Sequence, residues 1–149
     1  MVPGMPYDFQ IVVDCADPHA MADWWAETLD WRVEPQDPDF IRQMVDQGHA
    51  TEAETTTHRG ALVWRTGAAI NHPDPLPSGA KRRVLFQAVP EPKTVKDRLH
   101  LDVWVGEADR DAVRDKLLAR GATFLWAARQ GPHSWYTMAD IEGNEFCIT

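Results

Sequence analysis

The sequence predicts an α+β fold whose two halves repeat one order of elements: a strand, a helix, then three strands. Three observations carry this reading. Short β-branched runs such as "FQIVVDC" and "LHLDVWV" alternate residue by residue, the period of a strand covered on one face. Two longer segments, "HAMADWWAETL" and "EADRDAVRDKLLAR", have helical spacing. A shift of ninety residues lays Gln10 on His100, Ile11 on Leu101, Val13 on Val103 and Asp17 on Glu107. The repeat is weak by identity and good by pattern.

Each element follows from local chemistry. "FQIVVDC" is apolar and β-branched, hence a strand. Asp17 caps the helix that follows and Pro18 occupies its first turn. Met21, Trp25 and Leu29 fall on one stripe of that helix, which must face a core. "WRVEP" is a short strand stopped by Pro35. Pro38 starts a second short helix lined by Phe40, Ile41, Met44 and Val45 and ended by Gly48. "GALVWR" and "RRVLFQAV" read as strands, and the Pro- and Gly-rich "TGAAINHPDPLPSGAK" between them as a long surface loop. After "PEPKTVKDR" the order restarts: strand "LHLDVWV", a helix ended by Gly121, strand "ATFLW", then "SWYTMAD" and "EFCIT" joined at Glu142-Gly143-Asn144.

Composition narrows the function classes. A chain of 149 residues with 44% hydrophobic content and seven Trp supports one well-buried domain over residues 1–149. A net charge of −8 and a pI near 5.1 exclude a nucleic-acid partner, which needs a basic stripe. No apolar run approaches the ~18 residues of a membrane span, and "MVPGMPYDFQ" lacks the regions of a signal peptide. Cys15 and Cys147 sit in apolar runs and read as reduced, buried thiols of a cytoplasmic protein.

The strand "LHLDVWV" is the most informative stretch. Leu99, Leu101, Val103 and Val105 point one way; His100, Asp102 and Trp104 point the other. In the first strand Phe9, Ile11, Val13 and Cys15 oppose Gln10, Val12 and Asp14. The apolar faces must meet the helices. The polar face, with its Trp, is either solvated surface or the lining of a cup.

Three stretches together span essentially the whole chain: "FQIVVDCADPHAMADWWAETLDW", "LFQAVPEPKTVKDRLHLDV" and "MADIEGNEFCIT". They resemble the vicinal oxygen chelate (VOC) superfamily of the glyoxalase/bleomycin-resistance type, and within it the glyoxalase-like domain proteins. The resemblance implies two βαβββ modules, about residues 7–90 and 98–149, forming a curved mixed sheet around a concave cup. It also implies a homodimer. The polar faces then line the cup.

In metal-using members of that superfamily, ligands come from the first, fourth, fifth and eighth strands. The resemblance puts these positions at Gln10, Gln87, His100 and Cys147. Two amides, one imidazole and one thiol lack the anionic oxygen that Mg, Mn or Fe sites favour. The expectation is no resident cofactor and a degenerate metal site, with a divalent metal as the minor alternative and Cys147 a small buried hydrophobe. His100 beside Asp102 is either an acid–base pair or a hydrogen-bonded histidine without chemistry; Asp14 is a third candidate acid or base.

Gln10, Gln87, Trp104 and Cys147 complete the candidate ligand-binding set. Trp24, Trp25 and Trp31 belong to core packing, while Trp64 and Trp135 fit core or cup equally. Lys93, Lys96 and Arg98 read as a solvated linker or as contacts to an anionic ligand. His19, His49, His58, His72 and His133 lie in helix ends or loops and read as surface. No P-loop, dinucleotide turn or nucleophile elbow is present. Two functions remain: a glyoxalase-like lyase or isomerase acting on a small organic molecule, or a resistance-type protein that sequesters one without chemistry.

Overall fold

The structure, a computed structural model, describes Gly4 and residues 6–149. The first half contains β1 (Ile11–Cys15), α1 (Pro18–Leu29), β2 (Arg32–Val33), α2 (Pro38–Asp46), β3 (Thr55–His58), β4 (Ala61–Trp64), β5 (Gly67–Asn71) and β6 (Arg83–Ala88). The second contains β7 (Asp102–Val103), α3 (Arg110–Ala119), β8 (Thr123–Gln130), β9 (His133–Ala139) and β10 (Glu145–Ile148). The main sheets run β1-β6-β5-β2 and β7-β10-β9-β8. In each, the first strand pairs parallel to the fourth and the remaining pairs are antiparallel. The repeat read from the sequence is therefore a repeat of topology: two βαβββ modules in an α+β fold. Among the described residues, no helix is long and apolar enough to cross a membrane.

Two expectations about the first module are corrected. "GALVWR" does not supply the third strand of its sheet: among the described residues, Ala61–Trp64 pairs only with Thr55–His58, in a separate hairpin. The third strand is β5, inside the segment read as a loop, so the loop is confined to residues 72–82. Alanine and glycine have little strand propensity, and tertiary burial overrides it here. Ala68, Ala69 and Ile70 are buried, and small side chains let α1 lie close over β5.

The histidine reading changes as well. His19 is only 8% exposed and stacks on His58 at 4.9 Å. His19 Nε2–H donates to the Trp64 carbonyl at 2.7 Å, and His58 Nε2 lies 2.8 Å from Asp23 Oδ2. This pair fastens the β3–β4 hairpin onto α1, a contact across distant sequence that spacing cannot reveal.

The α1 stripe faces the core as expected, with Met21 and Trp25 buried and Leu29 packed against it. Its cap is also as expected: the Asp17 side chain accepts from Ala20 N–H. The core is shared between the modules. Trp24, Trp25, Ile70, Val84 and Phe86 of the first half form one cluster with Leu117, Met138, Phe146 and Ile148 of the second. The Trp25 ring meets Phe146 edge-on at 4.9 Å, and Trp24 Nε1–H donates to the Arg120 carbonyl at 2.9 Å. Ile11, Val13, Leu101, Val103 and Val105 pack against this cluster. Phe9 and Leu99, expected on the same faces, are instead 84% and 89% exposed. They precede the first paired residues of β1 and β7, beyond the reach of the helices.

The turn after β9 locks the modules together. Asp140 is 4% exposed, and its carboxylate accepts from Trp25 Nε1–H (3.1 Å), Glu142 N–H (2.9 Å), Asn144 N–H (3.0 Å) and the Asn144 amide (3.1 Å). Glu142 then accepts from the backbone N–H groups of Ala16 (2.7 Å) and Asp17 (3.0 Å) ahead of α1. Asp140→Ala strands several buried donors and should lower the unfolding free energy by about 3 kcal/mol. Glu142→Ala, at an exposed cap-like contact, should cost only about 1 kcal/mol. Urea unfolding of both variants checks the ranking, and equal losses would contradict it.

Candidate functional site

The second sheet's open face carries most of the candidate chemistry. His100, Asp102 and Trp104 share this face by strand alternation, and Trp104 is 89% exposed. Across the sheet, Asp102 pairs with Cys147, Cys147 with Thr137, and Thr137 with Trp126. Trp135, two residues from Thr137, lies on the same face. His100 Nε2 stands 3.2 Å from Asp102 Oδ1, with both side chains open to solvent. Cys147 lies beneath them, its sulfur 3.5 Å from Thr137 Oγ1. Burial pushes this thiol's pKa up, and the Asp102 carboxylate adds to the shift.

Trp126 reaches this face only because β8 is bulged. The register shifts between Phe124 and Trp126. Without a shift, residues two apart would share a face. With it, Phe124 meets Tyr136 edge-on at 5.6 Å on the core side, and Trp126, 44% exposed, turns outward. Trp126 and Thr137 are site-face residues that sequence reasoning missed, because no residue in "TFLWAARQ" announces the bulge.

The first sheet's open face carries the other half. Asp14 and Gln87 are register partners and both exposed. Arg83 donates from Nε to Glu34 Oε2 (2.8 Å) and from Nη1 to Gln10 Oε1 (3.1 Å). The guanidinium's hydrogen bond holds the Glu34 carboxyl below its ordinary range, against the opposing effect of burial. A recess of about 330 Å³ opens here, bordered by Phe40, Trp64, Leu85 and Arg83. Trp64 therefore belongs to an open face, and Trp24 and Trp25 to the core, where they were expected.

The structure brings His100, Asp102 and Cys147 together, and separately Asp14 with Gln87. Among the described residues, no hydrogen bond or ion pair joins the two groups. A larger cavity of about 920 Å³ lies on the core side, over Ile11, Val13, Trp25, Val84, Phe86 and Phe146, with Phe9 and Leu99 on its lining. Asp14 and His100 border it; Gln10, Gln87, Asp102, Trp104 and Cys147 do not. Of the linker cations, Lys93 donates to Glu145 at 3.1 Å and lies 3.6 Å from Asp97, a structural tie. Arg98 borders the larger cavity, and Lys96 is exposed.

The four positions suggested for a metal do not fit a hard octahedral ion. Gln10 already accepts from Arg83, the Cys147 thiol is held in its protonated form, and neither amide is anionic. What the arrangement offers is an imidazole and a carboxylate 3.2 Å apart, a pair suited to moving protons, and indole rings for stacking.

The thiols give a direct check. Burial, then the Glu142 carboxylate, pushes Cys15 from the ordinary thiol value of 9.0 to about 12. The folded state thus holds a proton that the unfolded chain releases. The resulting stabilisation should be complete below about pH 9 and fade between pH 9 and 12. Neither cysteine should react with a disulfide reagent at neutral pH until the protein unfolds. Rapid labelling of native protein would contradict this.

The glyoxalase-like domain family model matches residues 10–149. No curated protein sequence matches the chain. Among solved structures, the fosfomycin resistance protein FosX from Mesorhizobium loti is similar at 11% identity and TM-score 0.58, covering 99% of this chain and 91% of that one. A glyoxalase/bleomycin resistance protein/dioxygenase family enzyme from Burkholderia phytofirmans shares 15% identity at TM-score 0.57, covering 93% and 94%. A mutant FosX from Listeria monocytogenes, complexed with Mn(II) and 1S,2S-dihydroxypropylphosphonic acid, shares 8% identity at TM-score 0.60, covering 99% and 90%. The family match extends over nearly the whole chain and agrees with the paired βαβββ topology, and the chain belongs to the glyoxalase-like domain family of the VOC superfamily.

Proposed function

We propose that the protein, acting as one unit over residues 1–149, binds a small organic molecule with a flat or aromatic part in a cup lined by the two open sheet faces. The observation that carries this is Trp104, an indole 89% exposed beside the His100–Asp102 pair. Trp135 on β9 and Trp126 on β8, at the far edge of the sheet, present further indoles on the same face, and aromatic surface around a few polar groups is the composition of a ligand wall. Gln10, Asp14 and Gln87 supply the polar groups of the other half.

The cup closes when two copies associate. One chain leaves the outer edges of β1 and β7 unpaired, with Phe9 and Leu99 beside them, which favours a homodimer. The cytoplasm suits its two reduced thiols. Fold neighbours include both resistance proteins and enzymes, so the fold alone does not choose a reaction. The Mn(II) of the Listeria structure belongs to that protein; the amide and thiol positions here are poor partners for such an ion.

The His100–Asp102 pair favours chemistry: His100 exchanges a proton with the bound molecule while Asp102 orients the ring, with Asp14 as a further acid or base. A lyase or isomerase follows from such proton transfer. The second reading, sequestration without turnover, is favoured by the lack of an anionic ligand set at the expected metal positions.

Light scattering should report about twice the 16.9 kDa chain mass at micromolar concentration; a monomer would contradict the two-copy cup. Titration with a panel of planar aromatics, read by tryptophan fluorescence, should give saturable binding. Trp104→Ala should weaken it by ~1–3 kcal/mol with the fold intact. His100→Ala should spare affinity and abolish turnover. A wild-type protein that binds and returns the molecule unchanged supports sequestration.

A further inference from the structure

The larger cavity lies on the core side of the sheets, where ligand binding in the cup makes no use of it. At about 920 Å³ it has the size of an organic-ligand pocket. Its floor is the shared core, with Trp25, Val84, Phe86 and Phe146 buried. Half-buried Ile11, Val13, Leu29 and Leu101 form its walls, and exposed Phe9 and Leu99 stand at its mouth. The backbone explains the opening. Among the described residues, β1 and β7 are edge strands of separate sheets, so no ladder runs from one module to the other. The linker borders the gap and is held down by Glu145, which accepts from Lys93 Nζ (3.1 Å) and from Asp97 N–H (3.0 Å).

The charge around this cavity selects its ligand. Asp14, Glu91, Asp97, Asp140 and Glu145 border it, against Lys93, Arg98 and His100. Asp140 is spent on the donors of its own turn and on Trp25, and Asp97 and Glu145 are spent on Lys93. Among the described residues, the side chains of Asp14, Glu91 and Arg98 make no hydrogen bond or ion pair. The field is negative as well. Cys15, on the cavity lining, is pushed up to about 12 by burial and then by Glu142, Asp17, Asp14 and Asp140. Burial raises the Asp97 carboxyl; Lys93 opposes the rise, and Glu145 and Asp140 add to it. An anion entering here meets one uncommitted guanidinium in a negative field, whereas a cation meets two uncommitted carboxylates.

We infer that the cavity between the modules is a second ligand site, for a lipophilic amine whose apolar body lies over Ile11, Val13, Phe86 and Phe146 and whose ammonium stays at the mouth with Asp14 and Glu91. Apolar burial supplies the affinity, and the carboxylates select the sign of the charge. An ammonium at the mouth keeps part of its hydration, so the cost of burying a charge is largely avoided. Trp104, Trp126 and Trp135 do not border this cavity. The site goes beyond the cup and does not rest on it.

The test is a calorimetric titration of the full-length chain with decylamine, below its micelle concentration and at neutral pH. The amine is protonated there, as a lysine side chain is. Binding should saturate at one amine per chain, about ten-fold tighter than for decanol or decanoate, which carry similar tails without the positive charge. Glu91→Gln and Asp14→Asn together should erase that preference, while Arg98→Ala should sharpen it. Val13→Phe puts a ring into the cavity and should weaken decylamine binding about ten-fold, with circular dichroism checking that the fold is intact. Trp104→Ala, which strips the cup of its indole, should leave decylamine binding as it was, so failure of this site and failure of the cup are told apart. Decanoate binding as tightly as decylamine, weaker decylamine binding in Trp104→Ala or in Arg98→Ala, unchanged binding in a folded Val13→Phe, or no saturable binding would each overturn the assignment. So would an affinity that falls as protein concentration rises, because a second copy would then be filling the mouth.

Discussion

The Asp140 carboxylate is the constraint on which the arrangement of the two modules depends. It sits in the turn between β9 and β10, is nearly inaccessible, and accepts four hydrogen bonds, one of them from Trp25 on the other module's helix. A buried carboxylate is tolerable only when its oxygens are satisfied, so the turn and the helix must keep this geometry. Glu142 extends the clamp to the backbone ahead of α1. The turn that shapes the last hairpin thereby also fixes where the first helix begins.

Because the clamp brings Trp24 and Trp25 against Phe146, the modules share one core rather than owning two. That sharing decides which faces remain. The apolar strand faces are committed to the common cluster, and a register slip of one residue would carry Asp14 and Asp102 into it unpaired. The same argument places Cys147 at the floor of the open face. Its neighbours Phe146 and Ile148 point to the core, so its sulfur must point toward Asp102 and Thr137.

The two open faces are not copies of each other. On the first, Arg83 is shared between Glu34 and Gln10, and the α2 helix and the β3–β4 hairpin border a recess containing Trp64. Among the described residues the second has no such insertion, and it leaves Trp104, Trp126 and the His100–Asp102 pair exposed and Trp135 half-buried. A repeat in topology thus carries two different surfaces. On the first face Arg83 ties Glu34 to Gln10 while Asp14 and Gln87 stay exposed; on the second His100, Asp102 and Trp104 stay exposed.

By itself the sequence determined the α+β class, the doubled order of elements, the core stripe of α1 and the orientation of both first strands. It could do so because hydrophobic period and capping are local: Asp17, Pro18, Met21 and Trp25 announce their roles within one stretch of chain. Asp14, Asp102 and Trp104 were legible as open-face residues for the same reason, and Gln87 through the family resemblance alone. Only the tertiary structure decided that Ala68–Ile70 is a strand, since its small residues have weak preferences and gain their place by fitting under α1. It alone placed Trp126, through a bulge with no sequence signature, and paired His19 with His58. It also set Asp102 beside Cys147, forty-five residues along the chain, because strand pairing joins residues by register, a relation that spacing along the chain does not encode.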